Sequence, residues 1–385
     1  MNRCTKAIIY KDNLEYNIKQ ILKVLAPGTK LCIAVKADSY GHNALLTSQI
    51  AEKFGVEYLA IATVDEGIEL RKGGIKANLL LLSLAIPQEF NEIFEYEITP
   101  LVFGKEYINL ISDAANKYFK KDETFNVQLA VDTGMGRIGC YPEEAGEEAL
   151  IIEQSDHLVL SGMCTHFAVS DSLNKKNQEF TQEQYTAFRN AVNFVKDKGI
   201  DPGICSCAAS AAILNNPDMH FNMVRSGIIT YGYYPDEITK DYLKSIKKDF
   251  DIKPVLAFET QVVAIRHFPK GKSISYGRTY VCKEDTDIAV LPVGYADGLL
   301  RRFSPGLEVT INGKNYPVCG RICMDQCMVD IGKNNPDVKL WDKVLIFGPK
   351  ESGALNDAEA LAKLGNTISY EVLTSLTKRV ERVIQ

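Results

Sequence analysis

Histidine is scarce in this 385-residue chain, at five residues, and no uninterrupted apolar run approaches the roughly 20 residues of a membrane-spanning helix. Ten cysteines form no CxxC unit, because one residue separates Cys205 from Cys207 and three separate Cys323 from Cys327. With so few histidines beside them, a zinc site is not expected and no metal is assigned. Basic residues are not in excess: 44 Lys and Arg against 49 Asp and Glu give a net charge of −5. Nucleic acid and anionic membrane surfaces both call for a concentrated basic face, so neither is expected as a partner. Blocks of five or more like charges, low-complexity linkers and a repeat of fixed period are also missing. The start, "MNRCTKAIIYKDNLEYNIKQ", carries charges through its short apolar stretch and lacks the apolar core of a signal peptide. A cytoplasmic protein with reduced thiols is the expectation.

What the chain does have is the balance of a soluble globular protein, 46% apolar and 24% charged, at a length that fits two domains of about 100–200 residues each. Up to about residue 235, short apolar runs rich in β-branched residues alternate with helix-period stretches such as "TQEQYTAFRNAVNFVKDKG". Eight such runs are present, at 31–36, 58–63, 78–83, 98–103, 126–132, 157–166, 203–207 and 221–225. Eight strands each followed by a helix is the count of an α/β fold of the (β/α)8 barrel type, which keeps its chemistry at the C-terminal ends of the strands. The polar residues closing the runs are Lys36, Asp132, His166 and Arg225, while the following loops add Arg137 and Ser210.

From about residue 250 the texture becomes strand-like, with a hairpin signal in "LEVTINGKNYPV". A mostly β C-terminal domain is expected, closed by helical segments at 355–364 and 367–383. The polar stretch at 235–250 holds the boundary, giving a barrel over 1–242 and a β domain over 243–385.

Each candidate residue also has an ordinary structural explanation. Lys36 is either a lysine reaching out of the barrel rim or a desolvated amine with a depressed pKa, able to form a Schiff base and act as a base. "DTGMGRIG" presents Arg137, whose planar fork suits a carboxylate or phenolate, though such turns are usually plain loops. His166 in "THFA" is a core histidine or a site residue. "AASAAILN" and "VRSGIITYG" place Ser210, Gly227 and Ile228 after the seventh and eighth strands, where barrels often bind phosphate. Tyrosines in β-structure normally pack, but Tyr276 in "SYGRTY" is followed by glycine, which leaves its phenol accessible. Tyr370 in "TISYEVL" reads as packing by default.

Together, "AVKADSYGHN", "DTGMGRIG", "THFA", "VRSGIITYG", "SYGRTY", "LPVGYADG", "GRICMD" and "TISYE" resemble, in order and rough spacing, the pyridoxal-phosphate-dependent alanine racemases, over nearly the whole chain. The resemblance implies racemisation of alanine, supplying D-alanine for peptidoglycan, with pyridoxal 5′-phosphate as cofactor. Lys36 would hold the cofactor covalently and serve as one base, with Tyr276 the other on the opposite face. Tyr40, Ser210, Gly227, Ile228 and Tyr370 match positions that hold the phosphate. Arg225 matches the arginine facing the pyridine nitrogen, and His166 the residue orienting it. Arg137 and the backbone at Met324 match positions receiving the cofactor oxygen and the substrate carboxylate. The family's head-to-tail homodimer, in which Tyr276 and Met324 reach the other subunit's barrel, is implied as the active unit.

Two positions depart from the common pattern. Ala130 stands where many relatives carry a lysine modified to a carbamate, leaving open what orients Arg137, and Ala209 replaces the usual asparagine before Ser210. Racemisation of serine or another amino acid is the alternative reading. A decarboxylase on the same plan is disfavoured by Arg225, a barrel-only cofactor carrier by the second domain, and a barrel working without this cofactor by Lys36, Tyr276 and Arg225 together. His42 is read as a loop residue.

Overall fold

The computed structural model describes residues 3–385. Its first strand, β1 (Lys6–Ile9), precedes the barrel, whose strands are β2 (Lys30–Ala34), β3 (Tyr58–Ile61), β4 (Asn78–Leu81), β5 (Ile98–Val102), β6 (Phe125–Ala130), β7 (Leu158–Cys164), β8 (Ile204–Ser206) and β9 (Met223–Ser226). These eight run parallel in the order β8-β7-β6-β5-β4-β3-β2-β9. The ring closes between its two ends, where Ala209 bridges Arg225 and the Arg225 N–H donates to the Ala208 carbonyl at 2.9 Å. Strands covered on both faces need near-continuous apolar sequence, which is why runs such as "LLLL" and "YLAI" appear here without alternation. The helices bury one stripe each. Lys175–Asp197 turns Thr181, Gln184, Phe188, Ala191, Val192 and Val195 inward at helical spacing, and Gly199, at φ +79°, ends it.

The second domain follows with β10 (Leu256–Gln261), β11 (Ala264–Phe268), β12 (Ser273–Ile274), β13 (Tyr280–Val281), β14 (Thr286–Leu291), β15 (Glu308–Ile311), β16 (Lys314–Pro317), β17 (Cys327–Asp330), β18 (Lys343–Phe347) and β19 (Glu381–Ile384). A six-stranded sheet runs β16-β15-β18-β10-β1-β19, beside a three-stranded sheet β11-β14-β17 and the β12-β13 hairpin. The "INGK" turn joins β15 to β16 with Asn312 at φ +48° and Gly313 at φ +78°, the two positive values a tight hairpin turn demands.

Three expectations need correction. β1 lies inside the six-stranded sheet, between β10 and β19, so the division at 1–242 assigns the first strand to the wrong domain. The segment 367–383 is not one helix: a short helix Ser369–Thr374 gives way to β19, which pairs parallel with β1 from Lys6↔Glu381 to Ile9↔Ile384. Finally, β2 stops at Ala34, so Lys36 sits two residues past the strand at the head of a left-handed turn.

Candidate active site

A cavity of about 610 Å³ opens at the C-terminal ends of the barrel strands, and Lys36, Tyr40, Arg137, His166, Ser210 and Arg225 line it, with Gly227 and Tyr370 completing the wall. The chain thus gathers at one rim the residues that its sequence spreads over more than 300 positions. Lys36 is half-buried, and burial depresses its amine pKa, with Arg137 and Arg225 adding repulsion that Glu66 partly offsets. A larger unprotonated fraction at neutral pH follows, as nucleophilic and basic chemistry requires.

Arg225 is buried and tightly held. Its guanidinium donates to the carbonyl and hydroxyl of Ser206 at the end of β8 and, at 2.5 Å, to the Thr165 carbonyl after β7. His166 Nδ1 lies 3.5 Å from the same guanidinium. An arginine only donates, so this nitrogen accepts and the ring proton sits on Nε2. Burial, followed by Arg225, Arg137 and Lys36, pushes His166 down to about 3, so it stays neutral. Arg137, by contrast, has no hydrogen bond or ion pair to its guanidinium among the described residues, and the buried Ala130 at the end of β6 offers it only a methyl group.

At the opposite wall, the Gly227 N–H donates to Ser210 Oγ at 3.0 Å. A Cβ on Gly227 would stand 3.0 Å from the Tyr40 phenol oxygen and 3.6 Å from Ser210 Oγ, so this corner is kept open by the missing side chain. The helix Ser210–Asn215 and the turn Ile228–Tyr231 both begin here, presenting N–H groups with no helical partner. Ile228 itself is fully buried behind Gly227 and does not line the cavity. Burial raises Tyr40 to about 12 and raises Tyr370 further, with Tyr40, Asp171 and Asp236 contributing to the latter, so both phenols keep their protons as donors. Two carboxylates reach the lining: Asp132, whose Oδ1 accepts from the N–H groups of Gly134 and Gly136, and Asp171. Three cationic side chains and a corner of donors make the cavity a receptor for an anion, and the Gly227 corner has the makeup of a phosphate cradle.

Tyr276 and Met324 lie elsewhere. They are 66% and 52% exposed and do not line the cavity. The structure places them on adjoining loops of the second domain, where Ser275 Oγ donates to the Arg321 carbonyl at 2.6 Å. Gly277, which follows Tyr276, has φ +70°, and a Cβ there would meet the Arg321 guanidinium at 3.1 Å.

Three residues brace the site, two of which, Glu66 and Arg382, sequence reading passed over. Glu66 accepts from the N–H of Ala37 at 2.6 Å and of Ala62 at 2.8 Å; the capping box it forms with Thr63 was visible in "TVDE". Arg382 on β19 reaches the Gly41 carbonyl at 3.1 Å, with no sequence signal to foretell it. His42 does lie in a turn, between Gly41 and Ala44, but its ring is fully buried.

Comparison with known proteins accords with this geometry. The alanine racemase N-terminal domain family matches residues 9–235 and the C-terminal domain family residues 255–384. An alanine racemase of Treponema denticola is 46% identical over 383 residues, covering 99% of this chain and 98% of its own, and one of Clostridium acetobutylicum is 38% identical, covering 97% and 93%. Among solved structures, an alanine racemase of Clostridium difficile 630 superposes with a TM-score of 0.91 at 37% identity, covering 100% of this chain and 96% of its own. The alanine racemase of Bacillus anthracis with bound L-Ala-P gives 0.90 at 33% identity, with the same coverage. The barrel with its polar rim, the β domain behind it and both family matches carry one conclusion: this chain belongs to the alanine racemase family and is an amino-acid racemase.

Proposed function

We propose that the protein interconverts L- and D-alanine by a two-base mechanism, with pyridoxal 5′-phosphate held in the barrel cavity. The observation that carries this reading is the pairing, across one cavity, of a desolvated Lys36 amine with the open Tyr40–Ser210–Gly227 corner. When bound, the cofactor supplies a conjugated ring that stabilises negative charge at the α-carbon of an attached amino acid. Tyr40, Tyr370, Ser210 and the backbone at Gly227 and Ile228 would hold its phosphate. Lys36 would anchor it covalently. Ala209 has no side-chain donor to add to that phosphate corner.

The chain's own residues then divide the proton work. Lys36 takes or returns the α-proton on one face, and the lowering of its pKa by burial favours the unprotonated amine that proton removal needs. Tyr276 of the partner subunit does the same on the other face, which inversion requires. Arg225 would face the ring nitrogen, and the fixed positive charge of a guanidinium there would leave that nitrogen without a proton, which would weaken the electron sink and favour proton return over loss of carboxylate. Neutral His166 adds no charge and steadies the Arg225 fork. Arg137 and the Met324 backbone of the partner subunit receive the substrate carboxylate. The second domain thus acts as catalytic machinery in a head-to-tail homodimer, which gives the exposed Tyr276 and Met324 a purpose. We assign the enzyme to D-alanine supply for peptidoglycan, on the bacterial origin of its relatives, and to the cytoplasm, on its ten free cysteines.

The test is a scan of L-amino acids for formation of the D-enantiomer. D-Alanine should form fastest, and Lys36→Ala should lose covalent cofactor attachment and nearly all turnover. Tyr276→Phe should keep attachment while slowing one direction of α-proton exchange more than the other. Faster racemisation of serine overturns the substrate, and a covalent link that persists in Lys36→Ala overturns the mechanism.

A further inference from the structure

Four consecutive non-glycine residues after Lys36 are left-handed: Ala37, Asp38, Ser39 and Tyr40 have φ of 52°, 53°, 54° and 55°. Each costs about 1–2 kcal/mol relative to the right-handed region, so the turn persists only where surrounding contacts impose it. Those contacts are specific. Glu66 takes the Ala37 N–H, and the Ser39 N–H donates back to the Val35 carbonyl at 2.8 Å. The Asp38 carboxylate accepts from the Ala44 N–H at 2.8 Å, and Arg382 takes the Gly41 carbonyl. The Ser39 carbonyl accepts from the His42 backbone N–H at 3.1 Å and lies 3.0 Å from Nδ1 of the His42 ring, while the Tyr40 carbonyl is left to that Nδ1, at 2.9 Å.

Both of those partners are carbonyl oxygens, which only accept, so Nδ1 carries the proton. Nε2 is buried and has no hydrogen-bond partner among the described residues. The ring also stacks on Tyr231, with centroids 4.6 Å apart, and Tyr231 stacks on Tyr40 at 4.9 Å. The Tyr231 hydroxyl donates to the Ala34 carbonyl at 2.6 Å, where β2 ends. His42 is thereby tied to Tyr40 twice, once through its carbonyl and once through a file of rings.

We propose that His42 is a positioning residue: its Nδ1–H bonds to the Ser39 and Tyr40 carbonyls hold the left-handed turn that aims the Lys36 amine and the Tyr40 phenol into one cavity. The proposal rests on the assignment of that cavity to pyridoxal 5′-phosphate. A packing role alone asks for a flat ring at residue 42; a positioning role asks for a donor at Nδ1.

Two substitutions separate these roles. His42→Phe keeps the stack and removes the donor, while His42→Asn places an amide N–H where Nδ1 stood and gives up the stack. Apoprotein of each is titrated with pyridoxal 5′-phosphate by equilibrium dialysis, with denaturant unfolding in parallel. His42→Phe should bind the cofactor at least roughly tenfold more weakly, about the loss of one buried hydrogen bond. His42→Asn should stay within about threefold of wild type even where its stability is lower. Wild-type affinity in folded His42→Phe overturns the proposal, as does a loss in His42→Asn equal to that in His42→Phe. If neither variant folds, His42 is a core residue and the proposal is likewise overturned. Wild-type protein that binds no pyridoxal 5′-phosphate overturns the cofactor assignment instead.

Discussion

At the scale of single residues, the site is built on side chains that burial keeps uncharged beside side chains that cannot lose their charge. His42 is pushed down to about 4 and His166 to about 3, chiefly by burial, whereas an exposed histidine titrates near 6.5. Above about pH 6.5 both are neutral in either state and contribute nothing to the pH dependence. Below it the unfolded chain takes up protons that the native chain refuses, so stability falls as pH drops, through about 4 for His42 and about 3 for His166. For the fully buried His42 the loss amounts to roughly 3 kcal/mol. Unfolding free energies measured from pH 7 to 4.5 should therefore fall less steeply in His42→Asn than in wild type; parallel curves would refute the assignment. The sequence showed the residue types of the rim but not their partners. Lys36, Arg225 and Ser210 were legible because strand ends in a barrel share one pocket. His42 was not, because nothing in "SYGHN" states that the chain doubles back and buries the ring.

The turn from Ala37 to Gly41 is the element on which the site depends, and it was invisible to pattern reading. Left-handed stretches are normally announced by glycine, and only Gly41 is one here. Gly41 has φ +84°, and a Cβ there would lie 2.5 Å from the Leu373 carbonyl, on the helix that carries Tyr370. Gly74 has nearly the same φ, +86°, with nothing within 4 Å. Gly74→Ala should cost roughly 1 kcal/mol of backbone strain alone. Gly41→Ala should cost about 2 kcal/mol more, because backbone must move apart, and should weaken cofactor binding too. Equal unfolding midpoints for the two variants would remove the close packing from the argument. The two strands that sequence reading missed or misread are explained similarly. β1 is four residues long and is held between β10 and β19, and β19 lies in "TKRVERVIQ", whose charges repeat at helical spacing, with β1 as its strand partner.

At the scale of the whole molecule, Lys36 faces the barrel cavity, while Tyr276 stands on an exposed loop outside it. If two protomers exchange these residues head to tail, Lys36→Ala and Tyr276→Phe protomers should complement each other. Each mixed dimer holds one site with both wild-type bases and one with neither, so an equimolar, re-equilibrated mixture should regain about a quarter of wild-type turnover. Activity equal to the mean of the two variants alone would show that each protomer works unaided. Eight barrel strands and the β-rich second domain were readable because their patterns are local, while the sheet that ties the first strand to the last was not, because its pairing spans more than 370 residues. That sheet has a consequence for synthesis on the ribosome. β19 carries Arg382, which reaches the Gly41 carbonyl, and β19 is translated after every barrel strand. A nascent barrel can close around its core while the left-handed turn still lacks its last brace, so the turn after Lys36 is fully braced only once β19 has been made and has paired with β1.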